Sequence, residues 1–131
     1  MKTKSAKAKG RKLQDWTRER LIHYFGFNKE QEDISCAIMG EKGEDIKILS
    51  KLAKEQFPYS IECKNSEAHN VWKEYAQASE HGKEPIVIIK KNKHKPLAVI
   101  DANTLIKLIA CCDGGIAWSN WEPRLDPRSK E

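Results

Sequence analysis

The sequence predicts an α/β fold in which a mixed β-sheet is flanked by helices, in the order αβββαββα. Short apolar runs alternate with amphipathic segments along the 131 residues, a length typical of one domain. A segment with helical spacing also lies between two candidate strands, residues 59–63 and 85–89. Because parallel neighbouring strands need a crossover connection, usually a helix, this arrangement favours a mixed sheet.

The first half of the chain is predicted to hold one long helix and three strands. Apolar residues at mostly helical spacing, followed by Gly26, predict a helix over residues 12–25. Strands at 34–38 and 45–49 form a hairpin around a glycine-containing loop. After a short helical turn, strict alternation over 59–63 predicts a third strand, with Ile61 on one face and Glu62 on the other.

The second half is predicted to continue the sheet and to end in a helix. Residues 66–82 have helical spacing, and Trp72 is assigned to the core. A continuous apolar run at 85–89 predicts a buried strand, and a basic turn separates it from a strand at 96–100. Residues 102–112 predict the final helix.

The basic residues are concentrated at the start of the chain, whose net charge is +5. We expect a basic, flexible arm at residues 1–11, a folded domain at 12–112 and a loop-like tail at 113–131. The arm suits a polyanion such as DNA, although a merely solvated terminus has the same composition. No apolar stretch is long enough to cross a bilayer, so we expect an intracellular protein with no membrane partner.

Two carboxylates and a lysine are predicted to converge at the ends of neighbouring strands. Asp45 begins one strand, while Glu62 and Lys64 lie on the same face of the next. Carboxylate oxygens suit Mg²⁺, which can polarise a phosphate and lower the pKa of an attacking water. Lys64 has a role in orienting that water or in stabilising the developing charge. The spacing alone is not specific, because charged triplets also arise by chance on solvated strand faces.

Around these residues the chain resembles the PD-(D/E)xK nuclease superfamily. The similarity covers roughly residues 10–108 and is carried by Gly43-Glu44-Asp45-Ile46, by Phe57-Pro58-Tyr59-Ser60-Ile61-Glu62-Cys63-Lys64-Asn65, and by Trp72 and Gln77. It is particularly similar to small phage-encoded nucleases related to the archaeal-type Holliday junction resolvases. The resemblance implies a restriction-endonuclease-like fold. It also implies a divalent metal held by Asp45, Glu62 and the backbone carbonyl of Cys63, with Lys64 as catalytic lysine.

The chain departs from the resolvase pattern on its first helix. Resolvases of this kind usually place a glutamate there, whereas this chain has Gln14 at the similar position. A neutral oxygen holds a second metal less well than a carboxylate does, so two-metal chemistry is in doubt and one-metal hydrolysis is not. Gln77 is a further candidate for contacting the attacking water or a phosphate, as the resemblance implies; an exposed glutamine is the alternative.

The expected cofactor is Mg²⁺, with Mn²⁺ as a substitute, and the expected partner is DNA. Positions expected to contact DNA are basic or polar and flank the predicted cleft: Lys9, Arg11, Lys12, Ser35, Asn65, Lys91 and Lys93. The leading hypothesis is a Holliday junction resolvase acting as a homodimer, because two symmetric cuts need two sites. The alternatives are a flap, nicking or exonuclease, and a non-catalytic DNA-binding protein. If the gene is phage-encoded, the protein acts in the cytoplasm of a bacterial host.

Overall fold

The computed structural model of the protein describes residues 4–28, 30, 32–38 and 43–112; the expected C-terminal tail lies outside them. The described residues form a mixed α/β fold, as predicted. Their helices are α1 (Lys4–Phe25), α2 (Lys51–Gln56), α3 (Val71–Ala78) and α4 (Ala102–Cys111). Their strands are β1 (Ile34–Cys36), β2 (Ile46–Ile48), β3 (Tyr59–Asn65), β4 (Glu84–Lys90) and β5 (Leu97–Ile100).

The described strands form two sheets, where the sequence predicted one. β1 and β2 make an antiparallel hairpin, while β3 and β4 pair in parallel and β4 and β5 pair antiparallel. Asp45, just before β2, donates its backbone N–H to the carbonyl of Ile61 in β3 at 3.0 Å. The hairpin therefore meets the larger sheet at this hydrogen bond, and β2 and β3 do not continue it as a ladder. The predicted crossover between β3 and β4 is confirmed.

Helix α1 begins at Lys4, so the prediction that the helix starts at Lys12 was wrong; residues 4–11, which were expected to form an arm, are helical in the described part of the chain. Alanine and lysine are good helix formers, and propensity extends the helix through the basic segment. Its buried side is made by Leu13, Gln14, Thr17, Leu21 and Ile22. The helix ends as predicted, since Gly26 adopts a φ of 73° and returns its N–H to the carbonyl of Ile22.

The main core lies between α1, the hairpin and one face of the larger sheet. Ile61 is buried in it, and Tyr59 and Cys63 pack against it, as the alternation in β3 predicted. The remaining buried members are Leu21, Ile22, Phe27, Ile34, Ile46, Ile48, Ala53 and Phe57. The opposite face of β3, which carries Glu62, is therefore left for α3 and for the candidate site.

Helix α3 is shorter than the predicted 66–82. Asn70 caps its start by accepting the N–H of Lys73, and a 3₁₀ turn (Ser79–His81) extends it to Gly82. The assignment of Trp72 to the core was wrong, because this side chain is 83% exposed. Val71, Tyr75 and Ala78 form the inward side of the helix at i, i+4 and i+7, and Trp72 points away from that line.

Helix α4 carries several large apolar side chains that the described residues leave exposed. They are Leu105, Ile106, Leu108 and Ile109, and Ile106 reaches 64%. Asp101 caps the start of the helix by accepting the N–H of Thr104. Among the helices described, none combines the length and the apolar composition required to span a membrane.

Candidate active site

A cavity of about 660 Å³ opens between α1, the end of β3 and α3, and it brings the predicted catalytic side chains together. Those lining it are Gln14, Asp45, Glu62, Lys64 and Gln77, along with Cys63 and Asn65. Helix α1 contributes Ala6, Gly10 and Gln14, which share one side of the helix at i, i+4 and i+8. The small residues Ala6 and Gly10 keep this wall of the cavity open.

Asp45 is held against β3 from two directions. Its backbone N–H donates to the carbonyl of Ile61, and its Oδ2 accepts the backbone N–H of Cys63 at 2.7 Å. Glu62 lies between these two β3 residues and hydrogen-bonds the Asp45 carboxyl group. Backbone pairing at the start of β2 therefore places the two carboxyl groups side by side, and Lys64 follows on the same face of β3.

The environment of Glu62 opposes its ionised form. Burial first, and then the charge of Asp45 and a hydrogen bond with it, raise the pKa of Glu62 to about 7, although His81 acts in the opposite direction. Two adjacent carboxylates in a shielded cavity repel each other. A proton or a cation between them relieves this repulsion.

His81 is the closest neighbour that the sequence did not reveal. Its Nε2 lies 2.5 Å from Oε1 of Glu62, and the 3₁₀ turn after α3 places it beside this carboxyl group. An N–H on Nε2 would donate to the ionised carboxylate and hold its orientation. The sequence spacing could have indicated this position. His81 follows Gln77 by four residues, so it continues the side of the helix that carries Gln77.

Gln14 brings an unsatisfied polar atom into the cavity. The residue is 7% exposed, and its Oε1 has no hydrogen-bond partner among the described residues. A buried acceptor without a partner is unfavourable, so the atom is suited to a cation, a water or a ligand donor. The helix that carries it is held to β3 by the contact of Thr17 Oγ1 with Cys63 Sγ at 3.7 Å.

One side of α3 forms the wall opposite α1. Asn70, Lys73, Glu74 and Gln77 line the cavity from this side at i, i+3, i+4 and i+7. Oε1 of Glu74 pairs with His69 Nδ1 at 2.7 Å, whereas Oε2 is buried and has no hydrogen-bond partner among the described residues. Of these four cavity-lining residues, only Gln77 was predicted from the sequence. The other three lie at helical spacing from Gln77 and could have been found from that spacing.

The donor atoms in the cavity fit a hard divalent cation. The described residues contain no group of three or more His, Cys, Asp or Glu side chains that could hold a metal ion. A metal here would therefore depend on Asp45 and Glu62 together with neutral oxygens. Gln14 Oε1 supplies one; the Cys63 carbonyl supplies another, since the N–H and C=O of a strand residue point to the same side and the Cys63 N–H faces Asp45. Mg²⁺ accepts such a set because it retains several waters.

The predicted DNA-contacting residues are only partly brought together. Asn65 lines both this cavity and a second one of about 390 Å³, which Lys9 and Lys12 also line. Lys91 lies at a separate pocket around the turn after β4.

Three further predicted contacts, Arg11, Ser35 and Lys93, are not among the residues that line the 660 Å³ cavity. Ser35 pairs with Lys47 in the β1–β2 ladder. The contact of Ser35 with DNA therefore stays a prediction that the cavity lining does not test.

No family model, curated protein or solved structure matches the chain. What the site can do chemically follows from its own side chains. It combines adjacent carboxyl groups, a lysine on the same strand face, and buried oxygens that lack hydrogen-bond partners within the described ranges. Such a set suits a cation and the phosphate group that the cation would attract.

Proposed function

We propose that the protein is a magnesium-dependent endodeoxyribonuclease that hydrolyses phosphodiesters in branched DNA, with a Holliday junction as the leading substrate. The observation that carries the proposal is the convergence of Asp45, Glu62 and Lys64 in one cavity, beside a Gln14 Oε1 that no other described residue bonds. The resemblance to PD-(D/E)xK nucleases in the sequence assigns the same three residues to catalysis.

Asp45, Glu62, the Cys63 carbonyl and Gln14 Oε1 are the atoms that would hold the metal. When bound, Mg²⁺, or Mn²⁺ in its place, supplies Lewis acidity toward the phosphate and toward an attacking water. The hydrogen bond from the Cys63 N–H orients Asp45, and His81 orients Glu62. The protein thus fixes the direction of both carboxylates before substrate arrives.

Lys64 supplies positive charge where the phosphate gains negative charge in the transition state. Gln77 and Lys73 lie across the cavity on α3 and would contact the water or a neighbouring phosphate. Recognition then depends on backbone charge and DNA shape, since phosphate contacts position the protein without specifying a sequence.

Junction resolution requires a second active site, and we propose a homodimer to supply it. The exposed apolar side chains of α4 are the surface that a second copy would cover. A two-fold dimer places two equivalent cavities on one junction, which matches two symmetric cuts. Flap, nicking or exonuclease activity on the same core needs no dimer.

A non-catalytic DNA-binding protein is the second candidate function. The observation that favours it is Gln14, whose neutral side chain leaves the site with less negative charge than a glutamate would give. The adjacent Asp45 and Glu62 argue against it, since two acids facing a phosphate repel DNA unless a cation lies between them.

The test is cleavage of labelled four-way junction, flap and linear duplex DNA in Mg²⁺ and in Mn²⁺. The variants are Glu62→Ala and Lys64→Ala, and Glu55→Ala on α2 is the control because Glu55 is an exposed carboxylate outside the cavity. Paired symmetric cuts in the junction, lost in the first two variants and kept in the third, would support a resolvase. Cutting of flaps or ends alone would support the other nucleases, and no cutting at all would favour the DNA-binding protein.

A further inference from the structure

A second side of α1 faces a second cavity, next to the candidate active site. Lys9, Lys12, Leu13 and Trp16 recur at i, i+3, i+4 and i+7, so they form one stripe along the helix. They line the cavity of about 390 Å³, and its remaining wall is made by Asn65, Lys90, Asn92 and Pro96. This volume falls within the range of small-ligand sites.

The walls of this second cavity are held in place by hydrogen bonds. Asn65 Nδ2 donates to the carbonyl of Lys9 at 3.1 Å and so ties α1 to the end of β3. On the other side, Lys90 Nζ donates to the carbonyls of Lys91 at 3.1 Å and His94 at 2.8 Å. The turn that carries Asn92 and Pro96 is thereby fixed, and the cavity exists before any ligand binds.

The chemistry of the lining combines apolar surface with positive charge. Leu13 is 2% exposed and forms part of the floor, with Trp16 and Pro96 beside it. Lys9 and Lys12 add two cations to the lining, while the Nζ of Lys90, also in the lining, is already bonded to the turn. A flat apolar group attached to an anion matches this arrangement, and a nucleotide has both parts: a base that stacks on an aromatic ring and a phosphate that pairs with lysine.

The ring of Trp16 is available to such a ligand. The side chain is partly exposed, and the Arg20 guanidinium carbon lies 5.3 Å from the ring centroid. This cation–π contact orients the indole from the neighbouring turn of α1.

The two cavities adjoin, because Asn65 lines both and Lys64 precedes it at the candidate active site. A DNA strand held at Asp45 and Glu62 would therefore reach the second cavity within a short distance along its backbone. We propose that this second cavity binds an unpaired nucleotide of the DNA next to the phosphate to be cut, an inference that rests on the proposed nuclease function. Paired bases remain stacked in their duplex and do not present a free face to Trp16.

The test is equilibrium binding in EDTA, so that cleavage does not intervene. The probes are a single strand carrying 2-aminopurine and a blunt duplex of the same sequence. The variants are Trp16→Ala, Trp16→Phe and, as control, Trp72→Ala, whose indole is exposed but lines a different pocket, near Val99 and Ile100. Circular dichroism establishes that each variant is folded.

We expect Trp16→Ala to bind the single strand roughly tenfold more weakly, as expected for loss of one base–aromatic stack, and to bind the duplex unchanged. Trp16→Phe and Trp72→Ala should bind both probes like the wild type, and the 2-aminopurine fluorescence should be quenched only where an aromatic ring remains at position 16. Equal effects of Trp16→Ala on both probes, or no effect on either, would overturn the proposal.

The experiments distinguish failure of the proposed nucleotide site from failure of the proposed nuclease function. Binding of the single strand that depends on Trp16, without cleavage of any substrate in Mg²⁺, would overturn the nuclease and leave the nucleotide site standing. Magnesium-dependent cleavage in a protein that binds the single strand equally well with and without the indole would overturn the nucleotide site alone.

Discussion

At the scale of single residues, the chemistry of the site is concentrated on Glu62, which lies between Asp45 and His81. Asp45 disfavours its ionised form and the His81 ring favours it. Both neighbours are positioned by backbone structure: Asp45 by its bonds to β3, and His81 by the turn after α3. The protonation of Glu62 therefore depends on groups from three different elements.

The raised pKa predicts how stability depends on pH in the absence of metal. In the unfolded chain Glu62 loses its proton near the ordinary glutamate pKa of 4.5, whereas in the folded protein its pKa is about 7. The folded state binds more protons between these values, so stability falls as pH rises from about 4.5 to about 7. We expect Glu62→Gln, measured by thermal unfolding in EDTA, to be more stabilising at pH 8 than at pH 5.

Addition of Mg²⁺ is the control for this pH prediction. At pH 8 it should raise the melting temperature of the wild type and leave that of Glu62→Gln nearly unchanged. If Glu62→Gln raises the melting temperature equally at pH 5 and at pH 8 in EDTA, the raised pKa of Glu62 is contradicted.

His81 is predicted to act by orienting Glu62. His81→Ala removes the hydrogen bond and should raise the Mg²⁺ concentration for half-maximal cleavage by about tenfold, as is typical when a partner of a metal-binding side chain is lost. His81→Gln keeps an N–H donor and should recover part of this difference.

His23→Ala is the control for the histidine series, because His23 is exposed on α1 far along the helix from Gln14. The His23→Ala variant should need the same Mg²⁺ concentration for half-maximal cleavage as the wild type. If His81→Ala lowers the melting temperature in EDTA and leaves the Mg²⁺ dependence unchanged, His81 is structural and has no role in orienting Glu62.

At the scale of elements, helix α1 contributes to the core and to both cavities. Its buried side contacts the core through Leu21 and Ile22, its Gln14 side lines the candidate active site, and its Trp16 side lines the second cavity. The extension from Lys4 to Arg11 matters because it carries Ala6, Lys9 and Gly10 into these walls. A flexible arm would supply charge there but no fixed geometry.

A glycine-to-alanine pair tests whether this segment is helical. Gly10 lies inside α1, and a Cβ there would meet no atom within 4 Å. Gly10→Ala should raise the free energy of unfolding by about 1 kcal/mol, as for an unhindered helix interior. Gly26→Ala should lower it by about 1 kcal/mol, because the position has a left-handed φ of 73°.

Urea denaturation followed by circular dichroism measures both changes. A neutral Gly10→Ala would mean that residues 4–11 are not helical in solution, as the sequence alone suggested. The expected decrease in the free energy of unfolding of Gly26→Ala is the control that the assay detects changes of this size.

At the scale of the whole molecule, the exposed apolar side of α4 contrasts with a basic chain of net charge +5. Large contiguous apolar patches on a protein surface mark interaction sites. The homodimer proposed for junction cleavage would bury this one and place the two cavities in a fixed relation.

If the proposed homodimer forms through α4, Ile106→Glu combined with Ile109→Glu should convert it to a monomer, because each carboxylate would be desolvated at the interface. Light scattering coupled to size-exclusion chromatography over a range of concentrations measures the mass. Leu52→Glu on α2 is the control, since Leu52 is also an exposed aliphatic residue but lies outside α4. A wild type that is monomeric at all concentrations would exclude this interface.

Much of the fold was predictable because it depends on local periodicity. The alternation in β3 correctly placed Ile61 in the core and Glu62 on the opposite face, and the helix between β3 and β4 correctly implied a parallel pair. Trp72 was misplaced because several rotations of a short amphipathic helix satisfy the same pattern, and packing against the sheet selects one of them. The start of α1 was missed because charge suggested a solvated arm where helix propensity prevailed.

For the site, the sequence by itself determined which side chains have the right chemistry: Asp45 and Glu62 as an acid pair, Lys64 as a cation, and Gln14 as a neutral oxygen where a glutamate was expected. Only the tertiary structure decided what surrounds them. It brought His81 to Glu62, buried Gln14 Oε1 with no partner in the described part of the chain, and joined two cavities at Asn65. The physical reason is range: side-chain type and strand alternation are local properties, whereas burial, hydrogen-bond partners and cavities arise between elements far apart in the chain.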